Sequence, residues 1–163
     1  MKVQLGQQSI VIRAPRKAVF SLISSFGVDS QTSDTPAIAN NQERAKLLER
    51  DGNRLLMEFN STDGRKMYRT VEEVMLYPDE RITFRHLEGP LYHSQEEFLF
   101  DEVDSELNTG TLMTHNGTIE CRMHWLPGVG WAVARFYVKR HYERLVLRHM
   151  NNLKVQAESS DTH

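Results

Sequence analysis

A single cysteine, Cys121, serves all 163 residues, so no intrachain disulfide can form and a reducing compartment, the cytoplasm, is the expected setting. Long apolar runs are lacking too. None approaches the roughly 20 residues that span a bilayer, and Met1–Gln8 lacks the apolar core of a secretory signal. Nor does charge of one sign prevail. The formal net charge is −2, whereas a general nucleic-acid-binding domain is strongly basic, so no DNA partner is expected. No repeat or low-complexity tract divides the chain, which reads as one domain over 1–158 with a frayed tail at 159–163.

Several chemical signatures are incomplete or missing. Gly128-Val129-Gly130 resembles the start of a dinucleotide fingerprint, but Val133 replaces the third glycine and no parallel strand follows. Cys121 and His124 have a metal-like spacing, yet on a strand they point to opposite faces and no second tight pair completes a tetrahedral set. No metal and no cofactor are expected. Nucleophile-elbow, zincin and phosphate-loop motifs are also missing.

What the chain does contain is a regular alternation of strand and turn signals. Ser9–Arg13 reads as a strand, and Ala14-Pro15 starts a helix whose apolar face is Val19, Leu22, Ile23 and Phe26, with Gly27 suited to its left-handed cap. Residues 28–42 are polar and read as a loop that can act as a lid. Asp51-Gly52, Asp63-Gly64, Tyr77–Glu80, Glu88–Pro90 and Asp104–Gly110 then separate six strand-like runs, the last two at His93–Val103 and Thr111–His124. Such short intervals leave no space for crossover helices, so the strands form an antiparallel meander. One long helix follows, from near Gly130 to about Ala157, with apolar residues around much of its circumference. An apolar face that wide suits a helix held on more than one side.

The predicted fold is therefore α+β: a curved antiparallel sheet of about seven strands wrapped around a long C-terminal helix, with a short N-terminal helix. A hollow between sheet and helix is the expected site. Period-two faces place Met57, Phe59, Val74, Phe84, Phe98, Phe100, Met113 and His115 on its sheet wall. Val138, Tyr142 and Leu145 are the expected helix wall. His115, among aromatic and thioether groups, is the one candidate acid/base residue. Glu58, Arg69, Glu73 and Glu97 alternate with apolar neighbours and are expected in solvent. A separate feature is charge asymmetry. Arg140, Arg144 and Arg148 recur every four residues on one helical face, a candidate contact for an anionic membrane surface or RNA.

Ser9–Pro15 with Val19-Phe20, Leu87-Glu88-Gly89-Pro90-Leu91 before Phe98-Leu99-Phe100, and the long terminal helix ending Leu153–Glu158 together resemble the START-like (helix-grip) superfamily. They are most similar to its polyketide cyclase/dehydrase and coenzyme-Q-binding subgroup. The resemblance implies a cavity for a lipophilic small molecule such as a lipid, quinone or polyketide-like compound. It implies catalysis in only some members and transfers no catalytic motif to particular positions. The expectation is a ligand-binding or transport protein, with a cyclase/dehydratase or an interaction module as the alternatives.

Overall fold

The computed structural model describes residues 2–26, 44–62, 67–105, 108–120 and 129–160. In chain order these form β1 (Val3–Gln4), β2 (Gln8–Ile12), α1 (Arg16–Ser24), β3 (Arg44–Asp51), β4 (Arg54–Thr62), β5 (Met67–Tyr77), β6 (Arg81–Glu88), β7 (Gln95–Ser105) and β8 (Asn108–Ile119). The C-terminal helix follows as α2 (Val129–Val133), a π-helical turn (Ala134–Val138) and α3 (Lys139–Ser160). None of the described helices is long and apolar enough to cross a membrane.

The meander is as expected: β3 to β8 pair antiparallel, each with its predecessor. The N-terminus closes it, because β1 and β2 both return to β8, giving eight strands in one curved sheet. At two residues, β1 is too short to show any period. β7 begins later than predicted because His93 has φ 70° and belongs to the preceding turn. Gly52, at φ 56°, closes the β3–β4 hairpin. The predicted Asp63-Gly64 turn, the Gly27 cap, the 28–42 lid and the Cys121/His124 pair lie outside the described residues.

The core lies between one face of the sheet and α3, with α1 packed against both. From α3 it takes Val146, Met150, Leu153 and Ala157, from α1 Val19, Phe20 and Ile23, and from the sheet residues such as Leu55, Val74, Ile82 and Phe100. A smaller cluster of Val3, Leu5, Ile119 and Ala134 joins β1 to the start of the helix.

The long C-terminal helix is as expected, with a π turn within it. Ala134, Val138, Tyr142, Val146 and Met150 follow one another at intervals of four residues. In an α-helix such a row drifts by about 40° per step. A wider turn takes up part of that drift and keeps the row directed at the sheet.

The opposite, outer face carries ion pairs that bridge neighbouring strands. Glu73 binds Arg54 and Arg85, and Arg69 binds Glu58 and Glu88. Edge strand β3 is mostly exposed and rich in charge, and Leu48 forms a bulge in its pairing with β4.

Candidate functional site

The inner face is built by period two. Its residues are Glu72, Val74 and Leu76 on β5, Ile82, Phe84 and His86 on β6, Glu96, Phe98 and Phe100 on β7, and Met113 and His115 on β8. Register sets Ile82, Phe98 and His115 side by side across three strands, with Phe84 beside Glu96 and Glu72 beside His86. Leu87 is the extra residue of a bulge in β6, immediately after His86. Bulges of this kind redirect neighbouring side chains.

The face divides into two chemical regions. One is aromatic: Phe84 packs edge-on to Phe98 at 5.9 Å, and Phe26 packs edge-on to Phe59 and Phe84 at 6.0 and 6.1 Å. Phe26, Phe59 and Phe84 join the core yet keep part of their surface accessible. Phe26 also has φ 48°, a conformation costly for a bulky residue and held here by its two ring contacts.

The other region is polar and buried. Glu96 is its centre: one carboxylate oxygen accepts from His86 Nε2 at 2.9 Å and the other from His115 Nε2 at 2.9 Å. The Tyr142 hydroxyl, reaching down from α3, donates to the same Glu96 oxygen as His86. Beyond His86 lies Glu72, which accepts from the Thr70 hydroxyl at 2.7 Å. His86 Nδ1 is 3.4 Å from Glu72 Oε1 but outside hydrogen-bonding geometry, leaving a buried ring nitrogen unpartnered among the described residues. Gly117, opposite Glu96, makes room for this carboxylate, since a Cβ there would lie 2.9 Å from Glu96 Cγ.

The two carboxylates are driven in opposite directions. Burial works against ionisation of Glu96, but hydrogen bonds from His115, His86 and Tyr142 and the charge of His86 outweigh it, holding the group at about 2. Burial raises Glu72 above the ordinary carboxylate range, only partly opposed by His86 and Thr70. For His86, burial disfavours the cation, yet its bond to Glu96 and the charges of Glu72 and Glu96 raise its pKa overall. A carboxylate accepts only, so the Nε2 atoms of both histidines carry the protons directed at Glu96. The arrangement can hold a proton at Glu72 or His86 while Glu96 stays anionic.

Of the residues expected to line the site, Met57, Val74, Phe98, Phe100, Met113 and His115 are buried in the inner face, and Phe59, Phe84 and Tyr142 pack against it partly accessible. Val138 joins the small cluster at β1 instead. Leu145 is 40% exposed and points away from the core, so the helix wall is corrected to Val146, Met150 and Leu153. Glu72, His86 and Glu96 were missed, although each stands two residues from a predicted inward neighbour. An open groove also lies on the outer face, lined by Glu73, Thr83, Arg85 and Glu97 among others.

Solved structures share this architecture. A protein from Thermus thermophilus superposes with a TM-score of 0.75 at 18% identity, covering 98% of this chain and 100% of that one. The Zhui aromatase/cyclase from a Streptomyces species gives 0.72 at 16% identity, covering 97% and 94%. A START superfamily protein from Mycobacterium smegmatis gives 0.69 at 14% identity, covering 96% and 99%. The chain has the START-like helix-grip fold. No protein-family model matches the sequence, and no curated protein does. The helix-grip architecture is thus shared at low identity with an aromatase/cyclase and a START superfamily protein.

Proposed function

We propose that this helix-grip protein binds a lipophilic small molecule bearing an oxygen function, held between the sheet and α3. The observation that carries the reading is the division of the inner face into accessible aromatic rings and a buried acid–base cluster. An apolar body would lie against Phe26, Phe59 and Phe84, and its oxygen would meet Tyr142 or His86. Burying about 300 Å² of such a ligand at ~25 cal/mol/Å² yields about 7 kcal/mol before association costs of about 4 kcal/mol or more, so apolar burial alone gives millimolar binding at best and tighter binding needs the polar contacts. The aromatase/cyclase and START neighbours support a lipid-, quinone- or polyketide-like ligand. A fluorescent fatty acid or naphthalene probe titrated into the protein should bind, and Phe84→Asp should abolish binding with circular dichroism unchanged. Equal binding by that folded variant rejects the site.

A second reading, acid–base catalysis of the cyclase or dehydratase type, is favoured by one observation. Two carboxylates flank one histidine and are driven toward opposite protonation states, the pattern by which enzymes separate an acid from a base. Turnover of a model polyketide that disappears in His86→Gln, with ligand binding retained, would favour catalysis over carriage.

A further inference from the structure

We propose that the outward face of the C-terminal helix docks on an anionic lipid membrane. The residues turned away from the core form a stripe about 18 Å long from Phe136 to Arg148. Phe136 and Tyr137, adjacent on the π turn, are 66% and 74% exposed. Arg140, Arg144 and Arg148 follow on the same side, with Leu147 between the last two and Val155 beyond them, all exposed.

The acids of this helix are turned the other way. Glu143 pairs with Lys139 and accepts from the Gly6 N–H, and Glu158 pairs with Lys154 and accepts from the Arg13 N–H. Both are thereby tied to the N-terminal segment beside β1 and β2. No carboxylate among the described residues lies within ion-pair distance of Arg140, Arg144 or Arg148. The face is left basic and aromatic on a protein whose overall net charge is −2.

Charge complementarity points to an anion, and the apolar members select which kind. Aromatic rings beside arginines suit the headgroup boundary of a bilayer, where rings enter the interface and guanidinium groups meet phosphates. An RNA would use the rings for stacking but has no comparable use for Leu147 and Val155. A second copy docked through this face about a two-fold axis would bring one arginine stripe near the other.

Co-sedimentation of the full chain with phosphatidylcholine vesicles containing phosphatidylglycerol tests this, against phosphatidylcholine alone. Binding to the anionic vesicles should weaken as salt is raised. Arg140→Gln/Arg144→Gln/Arg148→Gln should lower partitioning roughly 100-fold, from roughly fivefold per arginine. Phe136→Ser/Tyr137→Ser should reduce the binding that survives high salt. Circular dichroism should show both variants folded, since these side chains point to solvent. The proposal is overturned by equal pelleting with neutral vesicles, by no pelleting at low salt, or by an unchanged arginine variant. It is overturned equally if the arginines instead prove necessary for self-association or RNA binding while vesicles are ignored.

Discussion

Replacing Glu96 by Gln removes the charge on which two histidines and a tyrosine converge. Holding this carboxyl at about 2 rather than 4.5 is worth about 3 kcal/mol of folding stability. The sign follows from the depressed value: the contribution is complete above pH 4.5 and is lost as pH falls toward 2. His86 and Glu72 act in the other direction. A raised histidine stabilises the fold below pH 6.5, and that contribution is lost as pH rises through its folded-state value. A raised Glu72 ionises first in the unfolded chain, so increasing pH above 4.5 costs stability. The wild type should therefore gain stability from pH 2 to 4.5 and then level off or decline. Glu96→Gln, which also leaves a histidine or tyrosine donor poorly matched, should lose about 3 kcal/mol near neutrality, with the deficit shrinking below pH 4.5. Urea unfolding of both proteins across this range measures the difference directly. A deficit that stays constant down to pH 3 would falsify the assignment of Glu96 as the buried anion.

Two further predictions test the surroundings. Gly117→Ala places a methyl group 2.9 Å from Glu96 Cγ and 3.0 Å from the Gln95 carbonyl oxygen, so it should cost about 1–3 kcal/mol and shift the NMR signals of His86 and His115. Unmoved histidine signals would show that the carboxylate does not depend on the space at this glycine. Met150→Ala empties a fully buried site where α3 meets the sheet and should cost about 2–5 kcal/mol in thermal or urea unfolding. A loss below 1 kcal/mol would mean that the helix is not held there.

The sheet was legible in the sequence because turn signals at Asp51-Gly52 and Glu88-Gly89-Pro90 bounded runs of the right length. Inward positions such as Phe98, Phe100 and His115 were legible for the same reason, since alternation needs only two landmarks per strand. The polar cluster was harder to see. Its acids are conspicuous, but Glu72 stands beside Glu73 and Glu96 beside Glu97, and only one member of each pair faces inward. Extending the Phe98–Phe100 and Ile82–Phe84 faces by two residues would have reached Glu96 and His86. On the helix wall Tyr142 was legible and Leu145 was not. Tyr142 and Leu145 both follow the π turn, and from Tyr142 the inward row continues at i+4 to Val146, which leaves Leu145, at i+3, on the exposed side. β1 carried no signal at two residues.

Strand β3 bears on how copies of this chain can associate. An unpaired sheet border is a template onto which a neighbouring molecule can add its own strand. Here that border carries Lys46, Glu49, Arg50 and Asp51, and its regular spacing is interrupted at Leu48. A neighbour approaching along it would meet charged side chains and a broken ladder of backbone donors and acceptors. Edge-to-edge growth into continuous multi-chain sheets is therefore disfavoured along this border.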